Sequence, residues 1–158
     1  MALDYFRAEM SGRNIGVPVE FIAYENRPLW NFENAVALSI LQGILPRPND
    51  IDGPLNLMSR IWKIFDAFPI EHSKWMPYYK NNIAAENEKI KVSYYEFTSL
   101  SGKIQRLLFV VNISSQNIEG ITLKNLEDTP HLLDAEKNEV ISAPFDIDGY
   151  NYKIIFAD

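Results

Sequence analysis

The sequence predicts an α+β protein in which a βαβα segment precedes an antiparallel β-sandwich. Two patterns predict this order. Up to about residue 80, the continuous apolar runs of buried strands alternate with apolar residues at helical spacing. Beyond it, apolar residues recur at every second position in short runs that turn residues separate. We therefore predict a helix-rich segment over residues 1–80 and an antiparallel β-sandwich domain over residues 81–158.

The first half contains two predicted strands and two predicted helices. Residues 17–24 are almost continuously apolar, as in a strand that is covered on both faces. Residues 31–42 follow helical spacing, with Asn31 as the predicted N-cap, and residues 44–45 are predicted as a very short strand. Residues 54–68 give the clearest helix of the chain, because their apolar side chains fall on one broad face.

Two tryptophans of this half are predicted to be structural. Trp62 falls on the apolar face of the helix over residues 54–68 and is expected in the core. Trp75 begins the aromatic stretch of residues 75–79, which we predict to be an ordered connector packed between the two halves.

The second half contains about six predicted strands. Residues 90–97 alternate between apolar and polar, and residues 103–113 are apolar on both faces, as in a central strand. Residues 132–141 predict a hairpin around a polar turn, and residues 152–156 alternate to the end of the chain. Asp146 to Gly149 resemble part of a calcium loop, but the downstream glutamate is missing, so these residues are predicted to form a turn.

Composition argues against several classes of function. The chain has 158 residues and a net charge of −6, which disfavours nucleic acids and anionic membrane surfaces, since both require a basic footprint. It contains no cysteine, so disulfide and thiol chemistry are excluded. We expect no secretory signal in its first residues and no membrane span, and these patterns assign no compartment.

Two stretches of the sequence resemble bacterial proteins related to glycoside hydrolases. The segments RAEMSGRNIGVPVEFIAYENRP, ALSILQGILPRP and MSRIWKIFDAF are similar to the end of the (β/α)8 barrel in those proteins. The later strands, the LLDAEKNEV hairpin and the closing FDIDGYNYKIIFAD resemble the β-sandwich that follows the barrel in many glycoside hydrolases. The resemblance implies that residues 1–80 are a βαβα remnant of the barrel end.

The same resemblance limits the expected activity. A barrel has eight β/α units and about 250 residues, of which this chain holds at most two units. We therefore expect a C-terminal, non-catalytic region of a carbohydrate-active protein, without a cofactor, whose parent would be periplasmic or secreted. The alternatives are a stand-alone module that binds a glycan or a protein, and a structural protein that dimerises or joins the remainder of a larger polypeptide.

The candidate site residues follow the two predicted barrel strands, because active sites lie at the carboxyl ends of barrel strands. Glu25 and Asp50 are the two carboxyl groups whose placement suits the acid and nucleophile of glycoside hydrolysis. The alternative is that Glu25 lies in a loop and Asp50 caps the next helix. Arg27 and Arg47 are candidate contacts to a sugar, and Trp30 is a candidate stacking surface.

No metal site is predicted. His72 and His131 lie far apart in the sequence, and neither has a neighbouring carboxylate at a metal-binding spacing. Both are expected at surface or turn positions.

Overall fold

The computed structural model describes residues 20–23, 31–48 and 54–158, with side chains described at residues 31–44 and 55–158. Its helices are α1 (Phe32–Leu41) and α2 (Pro54–Ala67), followed by a short 3-10 helix (Ile70–His72). The described strands are, in chain order, β1 (Glu20–Ala23), β2 (Leu45–Pro48), β3 (Lys74–Met76), β4 (Ala84–Ala85), β5 (Ile90–Thr98), β6 (Ile104–Asn112), β7 (Ile118–Ile121), β8 (Leu123–Lys124), β9 (Leu132–Asp134), β10 (Glu139–Val140), β11 (Phe145–Ile147) and β12 (Tyr152–Ala157).

Helix α1 connects β1 and β2, which run parallel with Glu20 opposite Leu45. Asn31 is its N-cap, as predicted, because Asn31 Oδ1 accepts a hydrogen bond from the Asn34 N–H at 2.9 Å. Asn34 Oδ1 accepts the reciprocal bond from the Asn31 N–H at 3.2 Å, which completes a capping box. Gly43 follows the helix with φ +69°, a left-handed conformation that glycine adopts without a Cβ clash.

The strand predicted at residues 44–45 lies later and is longer, since β2 runs from Leu45 to Pro48. The two prolines of β2 cannot donate hydrogen bonds to a neighbouring strand, and for this reason the strand predicted from the sequence ended before them. Within the described residues β2 pairs only with β1.

A six-stranded antiparallel sheet, in the order β10-β9-β12-β6-β5-β3, is the largest element of the fold. Its long strands β5 and β6 pair from Ile90 opposite Asn112 to Thr98 opposite Ile104. The edge strand β3 pairs Trp75 with Tyr95 of β5. Residues 74–76, which begin before the predicted boundary at residue 80, are therefore a strand of this sheet, and the predicted connector over residues 75–79 begins inside it.

Both faces of the six-stranded sheet are covered. Strand β6 alternates as a central strand should, with Phe109 on one face and Leu108 and Val110 on the other, all fully buried. The first face packs against α1 and α2. The second packs against two short antiparallel pairs, β7 with β11 and β4 with β8. The predicted α+β class and the sandwich-like antiparallel part are confirmed.

Helix α1 lies at the centre of this packing. It contacts the parallel strands β1 and β2 as well as β5 and β6 of the large sheet. A helix with neighbours on several sides must be apolar nearly all round, and seven of its ten residues are buried. The buried Ser39 hydroxyl is satisfied within the helix, donating to the Ala35 carbonyl at 2.7 Å.

The predictions for the two tryptophans have different outcomes. Trp62 is 44% exposed, so its predicted place in the core is wrong. The buried stripe of α2 runs through Met58 and Ile61 and is narrower than the apolar face of the sequence. Trp75 does pack at the seam between helices and sheet, with its ring centroid 4.7 Å from that of Tyr95.

Both ends of α1 are tied to the C-terminal half of the chain. At its start, Asn34 Nδ2 donates to the Tyr150 carbonyl at 2.9 Å. At its end, the fully buried Ser93 of β5 donates from Oγ to the Leu41 carbonyl at 2.7 Å. The Ser93 oxygen also accepts a hydrogen bond from the Tyr78 N–H at 2.9 Å, so one hydroxyl joins helix, sheet and the chain that follows β3.

We predict that Ser93→Ala lowers the free energy of unfolding by about 1–3 kcal/mol, because it removes a buried donor to the Leu41 carbonyl and the acceptor of the Tyr78 N–H. Urea denaturation of the two proteins measures the difference. Ser142→Ala is the matched control, since Ser142 is exposed, and it should leave the midpoint unchanged. Equal midpoints for wild type and Ser93→Ala would contradict the role of this hydroxyl.

Candidate functional site

The residues predicted from the sequence for a glycosidase-like site lie outside the described part of the chain or have no described side chain. Glu25, Arg27, Trp30 and Asp50 fall outside the described residues. Arg47 lies in β2, and its side chain is not described. Their proposed roles therefore stay predictions. The described residues form a groove elsewhere, between α2 and the six-stranded sheet.

A groove of about 420 Å³ lies between α2 and the sheet. We call it the β9–β12 groove, because β9, the turn after it, β11 and β12 form most of its wall. Its lining residues come from α2, from the β9–β10 turn, from β11 with the loop that follows, and from the start of β12: Arg60, Asp134, Glu136, Lys137, Asp146, Ile147, Asp148, Asn151, Tyr152 and Lys153. Seven of these ten side chains carry a charge.

Asp134 shapes the turn that forms one wall. Its Oδ1 accepts hydrogen bonds from the backbone N–H groups of Glu136 and Lys137, both at 3.0 Å. Asn138 closes the turn with φ +58°, and its N–H donates to the Asp134 carbonyl at 2.7 Å. This local geometry explains why the predicted hairpin forms here, and it directs Glu136 toward α2.

Glu136 meets Arg60 of α2 across the groove. The Arg60 Nε lies 3.7 Å from Glu136 Oε1, which pairs the charges at a distance longer than a hydrogen bond. Burial raises the pKa of Glu136, and the Asp134 carboxylate raises it further, while Arg60 opposes both effects. A second pair joins Lys153 Nζ to Asp134 Oδ2 at 3.5 Å.

The loop after β11 forms another part of the wall, and a buried asparagine holds it. Asn112 Nδ2 donates to the carbonyls of Ile147 and Asp148 at 3.2 and 3.1 Å. Gly149 is required at the turn because an added Cβ would lie only 2.4 Å from the Ser115 carbonyl oxygen. The predicted turn at this place is thus confirmed for Gly149 and its neighbour, while Asp146 and Ile147 belong to β11.

Tyr152 lines the groove from β12. It is 8% exposed, and burial raises its pKa well above the usual value for tyrosine, with the Glu136 charge adding to the effect. Its packing against α1 and α2 in the shared core links the groove to the seam between helices and sheet.

A cluster around Arg106 joins strands β5 and β6 to the loop before β9 through hydrogen bonds. Arg106 is 7% exposed, and its guanidinium donates to both carboxylate oxygens of Asp128, at 2.6 and 2.8 Å, and to Glu96 at 2.8 Å. It also donates to Thr129 Oγ1 at 2.9 Å, and it lies over the Tyr94 ring. The bonds from Arg106 hold the pKa of Asp128 below its usual range. These donors are already engaged, which leaves the cluster little capacity for a ligand.

Two further findings limit the chemistry within the described residues. Among residues 31–48 and 54–158, no three His, Asp or Glu side chains converge in a way that could hold a metal ion. No helix described here is long and apolar enough to cross a membrane. His72 lies in the 3-10 helix, and His131 lies just before β9, where its backbone pairs with that of Asp158.

The groove itself could not be identified from the sequence. The turns at residues 134–139 and 146–149 were both predicted, but nothing in their spacing shows that they meet beside Arg60. The alternation along β12 places Tyr152 on the helix side of the sheet. That placement is the one sequence signal for the groove, because the antiparallel pairing of β9 with β12 joins strands that are not consecutive in the chain.

We predict that Glu136→Gln changes the pH dependence of stability. Because the folded-state pKa of Glu136 is raised above the ordinary value of 4.5, the native state binds this proton more tightly than the unfolded state. Wild type should therefore lose stability relative to the variant as the pH rises from 4.5 through the raised pKa. Above that window the difference between the two proteins should be constant.

Urea unfolding of both proteins at a series of pH values measures this difference. Glu86→Gln is the control, since Glu86 forms an exposed ion pair with Lys124 away from the groove. The quantity compared is the unfolding free energy of Glu136→Gln minus that of wild type, which should increase as the pH rises. A value that stays constant or decreases with pH would contradict the burial of this carboxyl group.

Comparison of the chain with protein-family models, with curated proteins and with solved structures finds no match. The functional conclusions that follow therefore rest on the sequence resemblance and on the fold of the described residues.

Proposed function

We propose that this chain is the non-catalytic C-terminal region of a glycoside-hydrolase-like protein, in which the last two β/α units of a (β/α)8 barrel precede a β-sandwich. The supporting observation is the position of α1, which contacts a parallel strand pair and also a large antiparallel sheet. An outer helix of a barrel has this position when a sandwich domain packs against it, since barrel helices cover parallel strands on their inner side.

The parallel pair gives further support. Parallel sheets are normally covered on both faces and belong to larger sheets, whereas β1 and β2 pair only with each other in the described part of the chain. Additional parallel strands on either side of this pair would complete such a sheet. The order of β1, α1, β2 and α2 matches that of two successive β/α units.

The absence of catalysis follows from the number of units. A barrel active site draws its residues from the loops after eight strands, and this chain supplies two of those strands. Glycoside hydrolysis needs two carboxyl groups on opposite sides of the scissile bond. In the proposed assembly, Glu25 and Asp50 stand at the rim of a site whose remaining loops belong to other units.

A second candidate function, a protein-interaction module, is favoured by one surface of α2. Leu55 and Trp62 lie two turns apart on the same face of that helix and are 41% and 44% exposed. Large apolar side chains aligned in this way are a common feature of contact surfaces. In the first proposal this face packs against a neighbouring barrel helix, and in the second it packs against a separate chain.

We predict that the purified chain releases no nitrophenol from a panel of nitrophenyl glycosides above the rate of a protein-free blank. The physical reason is that two β/α units cannot enclose a sugar ring between two carboxyl groups.

The genomic reading frame upstream of Met1 should also continue into six further strand–helix units. Turnover that Glu25→Gln or Asp50→Asn abolishes, or a stop codon directly upstream of Met1, would contradict the proposal.

A further inference from the structure

The turn between β5 and β6 holds a leucine in solvent. Leu100 is fully exposed, at a position where turns normally carry Gly, Asn, Asp or Ser. Hydrogen bonds fix the turn, because the Ser99 N–H donates to the Lys103 carbonyl and the Gly102 N–H donates to the Ser99 carbonyl, both at 2.9 Å. The Lys103 N–H also donates to Ser99 Oγ at 3.1 Å. Leu100 therefore has a defined position beyond the ends of the two strands.

An apolar pocket of about 320 Å³ lies at the same end of the sheet, where α2 ends at Ala67. Phe156 of β12 and Leu133 of β9 are paired neighbours there and are only partly buried. The Phe68 ring stacks on the Phe156 ring, with 6.2 Å between the centroids. We call this the α2-end pocket, and its lining residues are Ala67, Phe68, Pro69, Gln105, Arg106, Leu133, Phe156, Ala157 and Asp158.

The leucine cannot enter the pocket of its own chain. Gln105 lines the pocket and pairs with Phe97, which precedes Leu100 by three residues. At about 3.3 Å per residue, the turn lies about 10 Å beyond the pocket, and its hydrogen bonds prevent it from folding back. A second copy, related by a twofold axis between turn and pocket, can place each leucine in the pocket of the other. Such an arrangement is closed, since each copy supplies one leucine and one pocket.

The charges around the turn and the pocket are complementary. Lys103 is the one charged residue in the segment 97–105. Asp158 lines the pocket, and Asp66 is exposed in the last turn of α2, where the helix C-terminus adds a partial negative charge. Arg106 also lines the pocket, but its guanidinium is engaged in the cluster described above. A turn with a positive charge therefore meets a pocket with a negative rim.

We propose that the chain forms a twofold dimer in which Leu100 of each copy inserts into the α2-end pocket of the other. Burial of apolar surface drives this association, and the fixed turn loses little conformational freedom when it binds. The Ser99 and Ser101 hydroxyls bond to each other at 2.8 Å, which lowers the cost of removing them from water. The dimer goes beyond the proposed function and does not depend on it.

Sedimentation of the full chain over a range of concentrations measures the association. We expect a dimer whose fraction rises with concentration. Leu100→Ser should raise the dissociation constant at least tenfold, and Ala67→Tyr should do the same, because it fills the pocket from an exposed helix position. Val140→Ser is the matched control, since Val140 is an exposed apolar residue on the edge strand β10, and it should dimerise as wild type does.

Disulfide formation tests the geometry. The chain contains no cysteine, so Leu100→Cys and Ala67→Cys each introduce a single thiol. When the two variants are mixed and oxidised, the disulfide between them should form in higher yield than the homodisulfide of either variant.

Three results would each overturn the proposal. They are a wild-type chain that stays monomeric at every concentration, a dimer that Leu100→Ser leaves unchanged, and preferential formation of the Leu100→Cys homodisulfide. Circular dichroism identifies any variant that fails to fold, and wild-type sedimentation needs no variant. The nitrophenyl glycoside assay and the upstream reading frame test the proposed function independently of these results.

Discussion

The packing of helix α1 against the six-stranded sheet is the constraint on which the rest of the structure depends. The helix is buried on most of its surface because it contacts the parallel pair and the antiparallel sheet at once. Asn34 fixes its start to the Tyr150 carbonyl, and Ser93 fixes its end to β5. Gly43 then passes so close to the Trp75 ring that a Cβ would lie 3.0 Å from it. No larger residue fits there without displacement of the ring.

The packing of α1 and α2 against the sheet determines the shape of the β9–β12 groove. Arg60 reaches it from α2, which is held by the same apolar core, and Tyr152 contributes to both the core and the groove. The bond from Asn34 to Tyr150 and those from Asn112 position the loop that carries Asp148. Elements from both halves of the chain therefore line the groove, and a change at the seam would alter its shape.

Much of the fold can be predicted from the sequence, because local rules determine it. The N-cap at Asn31, the central strand β6 and the hairpin after β9 each follow from residue types at short spacing. The exposure of Trp62 and the pairing of β3 with β5 could not be predicted in this way. Both depend on which surfaces meet in three dimensions, and an apolar side chain on a helix does not reveal whether its partner is present. The groove could not be predicted from the sequence for the same reason, since four separate segments of the chain form it.

Native-state hydrogen exchange tests most directly whether helices and sheet form one unit. Amides of α1, such as those of Val36 and Ile40, and amides of β6, such as those of Phe109 and Val110, should exchange through the same opening. Their opening free energies and urea dependences should agree with each other and with global unfolding. Exchange of the α1 amides through a smaller opening of lower free energy, while β6 stays protected, would contradict the shared core.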